Sequence, residues 1–171
     1  MQEIIDLKQQ LLLGNFDEAI DITIQIEAMA HQDKINAISK LMALILKRLI
    51  IIQVSDRISP IGITEVRNSL IYIQQQNQLG DLMEDANCSR FYVKEDSKWL
   101  QLIEKSYPTA ILNASENEEL SDRFSVEQLK SQVDKQLLKT EALLLIHLTY
   151  TFNAYEIDKY IRSHWKQKQI L

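Results

Sequence analysis

Apolar residues recur at helical spacing along most of the chain, and the breaks in that spacing set the expected elements. Ile4, Ile5, Leu7, Leu11 and Leu12 lie close to an i, i+3, i+4, i+7 pattern, which predicts a helix over residues 2–13. Gly14 supplies its left-handed stop. Asn15 or Asp17 can cap a second helix, expected from about Asp17 to His31, and Glu18 favours its positive end. Ile22-Thr23-Ile24-Gln25-Ile26 alternates like a strand, but Ile20, Ile24 and Ala28 continue a helical row and no turn signal brackets the segment. Around His31-Gln32-Asp33 the helix either kinks or continues. Ile38, Leu41, Met42, Ile45, Leu49 and Ile52 then form one stripe, widened by Leu44, Leu46 and Ile50, so this segment is expected to be the central core helix.

Ser55 to Gly62 reads as a loop, with Thr64 capping a helix through Val66, Leu70 and Ile73 that stops at Gly80. Between Leu82 and Asp96 the pattern is weak; Arg90 to Lys94 could be a short extended piece, but one strand without a partner makes no sheet. Asp96 is expected to cap a helix through Trp99, Leu102 and Ile103, and Pro108 implies a kink or restart before Ala114. Ser115 to Asp122 is an acidic connection. Ser125 with Gln128 fits a capping box, after which Val126, Leu129, Val133, Leu137 and Leu144 form a row. Asn153 with Glu156 resembles a second capping box, opening a last helix over residues 154–168.

Composition agrees with this reading. Three Gly and two Pro in 171 residues are too few for a turn-rich sheet protein, so the fold class is expected to be all-α, a bundle of about five to seven helices. The single cysteine, Cys88, cannot form an internal disulfide, which points to a reducing compartment and a cytoplasmic location. The acidic start lacks the pattern of a signal peptide. The apolar stretches 41–52 and 142–152 fall short of the roughly 20 residues a spanning helix needs, so no membrane partner is expected. The net charge of −5 opposes bulk attraction to nucleic acid or anionic lipid. A pronounced acid excess lies between Asp81 and Phe124, and Lys159, Arg162, Lys166 and Lys168 make the C-terminus mildly basic.

Chemical sites are sparse. His31, His147 and His164 are far apart, and no His-x-x-x-His or Cys-x-x-Cys spacing occurs. Glu27 and His31 share a helix face, but two ligands without a third read better as a hydrogen-bonded surface pair. Cys88 has no neighbour that clearly activates it, and three isolated glycines build no phosphate loop. Asp17, Glu18 and Asp21 read as charge complementing a helix dipole. The pattern therefore implies no catalytic residue, metal or cofactor. Arg162, Trp165, Lys166 and Lys168 interleave cations with an aromatic and are the candidate nucleic-acid contacts, diluted by Glu156 and Asp158.

The more informative feature is apolar surplus. Ala142 to Leu148 is apolar around nearly the whole helix, and Tyr150 and Phe152 extend it. Burial on two sides within one bundle and burial against another chain explain this equally well. On the second reading Leu144, Leu148, Phe152 and Tyr155 are the candidate partner interface.

Several short motifs resemble the domain-of-unknown-function family numbered twenty-nine, common in cyanobacteria and other bacteria. They are Leu12-Leu13-Gly14-Asn15-Phe16-Asp17, Ile26-Glu27, Ser39-Lys40-Leu41, Glu65-Val66-Arg67, Tyr107 to Ala114, and Val126-Glu127-Gln128-Leu129. The chain departs from the family at Lys47, Ile50 and Ile51, where polar or aromatic residues are usual, and at Arg57 to Ile61, where a serine- and tryptophan-bearing loop is shortened. The resemblance covers about residues 5–130 and implies an α-helical fold without an activity. It makes residues 1–130 one helical domain and residues 131–171 an added C-terminal helical element, packed on that domain or on a partner. The expected function is a non-catalytic protein–protein interaction module, self-associating or binding another protein, with a nucleic-acid-associated accessory role as the alternative.

Overall fold

A chain with so few helix breakers gives long helices, and among the described residues the computed structural model has seven helices and no strand. It describes residues 2–57, 59–77, 93–120 and 124–168, except for the side chains of 164–168. The helices are α1 (Gln2–Leu13), α2 (Phe16–Ser55), α3 (Pro60–Asn77), α4 (Asp96–Ser115), α5 (Val126–Gln132), α6 (Lys135–Thr151) and α7 (Ala154–Lys168). None of the described helices is long and apolar enough to cross a membrane. The expected stop at Gly80 and the extended piece from Arg90 to Tyr92 lie outside the described residues.

Of the two alternatives at His31 to Asp33, the helix continues, and α2 is one helix of 40 residues. No Gly or Pro interrupts residues 16–55, so no backbone hydrogen bond is lost there. The chain nevertheless divides into two compact units, residues 1–36 and residues 37–171, with the division inside α2.

In the larger unit the stripe of α2 is the core, as expected. Ile38, Met42, Ile45, Leu46, Leu49, Ile50 and Ile51 are buried. Val66, Leu70 and Ile73 of α3, Trp99 and Ile103 of α4, and Ile157 and Ile161 of α7 are buried with them. Each such aliphatic side chain withdrawn from water contributes about 1.5–3 kcal/mol. Helix α3 packs against α6 and α7, and α4 packs against α5 and α6. The expected boundary at residue 130 therefore falls inside α5, and residues 131–171 belong to the same compact unit as α3 and α4.

Helix starts differ from expectation where several polar residues compete for the cap. Pro60 is not in a loop but opens α3, where its fixed φ suits the first helical position and its missing N–H costs nothing. Thr64 lies within that helix and donates its hydroxyl to the Pro60 carbonyl at 3.0 Å. Asp96 is the first residue of α4 rather than its cap; the cap is Glu95, which makes no side-chain capping bond. Helix α4 continues through Pro108, whose position is exposed, without restarting.

Both predicted capping boxes form. Ser125 Oγ accepts from Gln128 N while the Gln128 side chain accepts from Ser125 N at 2.7 Å. Asn153 Oδ1 accepts from Tyr155 N and Glu156 N, and Glu156 Oε2 accepts from Asn153 N at 2.9 Å. The row from Val126 to Leu144, by contrast, is broken. Asp134 caps a new helix by accepting from Gln136 N and Leu137 N, each at 3.0 Å. Asp134→Ala is expected to lower stability by about 1 kcal/mol in denaturant unfolding, with Asp134→Asn restoring most of it, because either side chain can accept those two bonds.

Candidate interaction surface

The apolar C-terminal helix serves mainly the bundle. Leu138, Ala142, Leu145, Ile146 and Leu148 of α6 are buried, so the surplus seen in sequence reflects burial on more than one side. Leu148 is thus a core residue and is withdrawn from the expected interface. Phe152 is partly covered, its ring centroid 6.4 Å from that of Tyr160. Leu144 and Tyr155 remain exposed, at 42% and 77%, on different helices.

On α7, Arg162 is exposed, but its guanidinium is held by Asp158 at 2.7 Å, and Asp158 also meets Arg67 of α3 at 3.3 Å. The Arg162 hydrogen bond, ahead of the opposing effect of burial, keeps the Asp158 carboxyl below its ordinary range. This cation is partly neutralised before any phosphate arrives. Trp165, Lys166 and Lys168 lie on the helix, and their side chains are outside the described residues.

Two buried polar clusters were not anticipated. Arg48 of α2 is 7% exposed and pairs with Glu65 of α3 and with Glu119 after α4, the latter at 2.9 Å; Lys47 meets Glu65 at 2.7 Å. Burial raises the Glu65 pKa, but hydrogen bonds from Lys47 and Arg48 overcome it and hold the carboxyl below its ordinary value. Gly62 leaves room for this arrangement, since a Cβ there would meet Ser59 Oγ at 3.1 Å and Arg48 Cδ at 3.4 Å. An open depression of about 520 Å³ lies beside the cluster, lined by Arg48, Pro60, Ile61, Thr64, Glu65 and Asn68. Its charged groups already satisfy one another, which suits a clamp between elements better than a ligand site.

In the second cluster, buried Asn77 donates to the Val93 carbonyl at 2.8 Å and accepts from the Val93 N–H at 2.7 Å. Tyr150 donates to the same carbonyl at 2.9 Å and accepts from Trp99 Nε1 at 2.8 Å. Burial pushes the Tyr150 hydroxyl above its usual pKa, although the Trp99 and Asn77 hydrogen bonds oppose it, so it stays a protonated donor at neutral pH. These groups tie α3, α4 and α6 together.

Among the described residues the histidines converge on no site. His147 meets Asp96 at 3.0 Å on the surface, and His31 and Glu27 lie exposed on α2. Among the described residues no three His, Cys, Asp or Glu side chains are grouped as a metal would require. Cys88 lies outside the described residues.

The exposed apolar surface is at the other end of the chain. In residues 1–36, α1 has no buried residue, and Ala19 is the one buried apolar side chain described. Gly14, at φ 74°, makes the turn between α1 and α2, and Asn15 closes it by donating to the Gln10 carbonyl. The better-covered positions of α1 are Glu3, Asp6, Leu7 and Gln10, an i, i+3, i+4, i+7 set that is mostly polar. Ile4, Ile5, Leu11 and Leu12 lie on the opposite face and are half to nearly nine-tenths exposed, Leu12 reaching 89%. Phe16, Ile20 and Ile24 form a second exposed row at four-residue spacing on α2. Helix α1 thus turns its oily side outward, the reverse of a surface helix that packs only on its own chain.

The sequence displayed these residues plainly as a helical pattern; which face the fold would cover was not in the pattern. No model of a protein family matches the chain, and no curated protein or solved structure matches it.

Proposed function

We propose that this chain is a non-catalytic protein–protein interaction module whose contact surface is the helical pair formed by α1 and the first two turns and more of α2. One observation carries the reading: the apolar rows Ile4–Leu11, Ile5–Leu12 and Phe16–Ile20–Ile24 are exposed together in a unit with almost no core of its own. Exposed apolar rows of this kind are costly in water and are a mark of an interface. The two buried polar clusters support the same reading from the other side, because their charged and hydroxyl groups are engaged in holding helices together. The single thiol favours action in the cytoplasm. Kinship with domain-of-unknown-function family twenty-nine is proposed on the motif residues alone, among them the Gly14 turn that presents this surface; it leaves the function open.

The test is affinity capture of the tagged full chain from its native cells, beside a Leu12→Glu/Ile20→Glu variant. Both positions are exposed, so the variant is expected to unfold within about 0.5–1 kcal/mol of the wild type. A stoichiometric protein partner, or a second copy of the chain, is expected on the wild type and lost on the variant. Equal capture by both proteins would place the contact elsewhere and overturn the proposal.

A further inference from the structure

The exposed apolar rows lie in a strongly acidic segment. Residues 1–36 contain seven acids, Glu3, Asp6, Asp17, Glu18, Asp21, Glu27 and Asp33, against Lys8 and Lys34, a formal net charge of −5. Residues 81–124 carry a second excess, ten acids against five bases, and the segments 37–80 and 125–171 are net basic. Asp17 and Asp21 each follow a member of the apolar row, Phe16 and Ile20, and Glu27 comes three residues after Ile24; all three acids are exposed. An apolar row edged by carboxylates on a helix is complementary to a helix with an apolar stripe edged by lysine or arginine.

From this complementarity we infer, resting on the interaction reading above, that the partner is a basic amphipathic helix of another protein. Its apolar stripe lies along Phe16, Ile20 and Ile24, and its cations meet Asp17, Asp21 and Glu27. A second copy of the chain is a poorer occupant, because it brings another −5 against the same face. Anionic lipid is disfavoured for the same reason. The charge pairs set which helix is accepted and speed its arrival, while the apolar rows hold it.

The test uses the full chain and a displayed library of helical peptides with a fixed leucine stripe and flanks randomised among Lys, Ser and Glu. Three proteins are compared: wild type, an Asp17→Lys/Asp21→Lys/Glu27→Lys variant, and the Leu12→Glu/Ile20→Glu variant. Lysine-flanked peptides are expected to enrich on the wild type and to lose at least tenfold in affinity between low and high salt. Glutamate-flanked peptides are expected to enrich on the charge-reversed variant, and none on the third. Enrichment on the wild type without flank preference, or of glutamate flanks, would overturn the basic partner while leaving the interaction surface intact. A wild type that sediments as a dimer disrupted by Leu12→Glu/Ile20→Glu would have the same consequence. No enrichment and no self-association would overturn both the inference and the reading on which it rests.

Discussion

Replacing Trp99 by alanine is expected to lower the unfolding free energy by roughly 3–5 kcal/mol, among the largest effects available to a single substitution here. Trp99 sits in the first turn of α4 and is fully buried. Its deletion leaves a cavity that the surrounding aliphatic side chains cannot collapse to fill, since helices tied through Asn77, Val93 and Tyr150 have little freedom to move. The indole N–H also donates to Tyr150 Oη at 2.8 Å. Against a typical stability of about 5–15 kcal/mol the loss is a large fraction of the whole, so the variant should melt well below the wild type. Trp99→Phe separates the two contributions. It keeps most of the apolar volume and removes the donor, and should cost about 1–2 kcal/mol, because Tyr150 keeps its bond to the Val93 carbonyl. Urea unfolding followed by far-ultraviolet dichroism measures both. A cost below about 1 kcal/mol for Trp99→Ala would mean that the indole does not fill this core.

That buried cluster shows where sequence reading stops. Helix ends written in adjacent residues were legible: the Gly14 turn and the capping boxes at Ser125 and Asn153 each depend on groups within five residues of one another. Ends with competing caps were not. Asp134 breaks the row from Val126 to Leu144 because its carboxylate captures two N–H groups, yet the apolar spacing runs on across the break as if one helix continued. Asp96 has the better capping side chain, yet it is the first helical residue and Glu95 holds the cap position without a side-chain bond. Periodicity also revealed faces without revealing their cover. Leu148 and Leu12 both belong to apolar patterns, but the first is packed by α6's neighbours and the second is open to water. Amphipathicity states only that a helix has an oily side. What lies against that side depends on partners distant in sequence or in another chain, and so the surface proposed here lies on α1 and α2 rather than on α6 and the start of α7.

Arg48 makes the same point with charge. In sequence it merely interrupts an apolar helix; in the fold it joins carboxylates 17 and 71 residues away. Arg48→Met keeps the aliphatic bulk beside Gly62 and removes the guanidinium, leaving Glu65 and Glu119 without their shared cation. Breaking a fully buried ion pair from one side costs about 3–5 kcal/mol. Glu65 and Glu119 retain 25% and 37% side-chain exposure, and Lys47 still reaches Glu65, so roughly 2–3 kcal/mol at neutral pH is expected here. The pH dependence identifies the cause. Since the folded state holds the Glu65 carboxyl below its ordinary value against the effect of burial, its contribution is present above the unfolded pKa, about 4.3, and is lost as pH falls through the lower folded value. Protonating Glu65 removes much of what Arg48 supplies, so the gap between wild type and Arg48→Met should narrow as pH falls below about 4. Equilibrium unfolding of both proteins from pH 7 to pH 3 reads this directly. A gap that stays constant over that range would assign the effect of Arg48 to packing of its methylenes rather than to its charge.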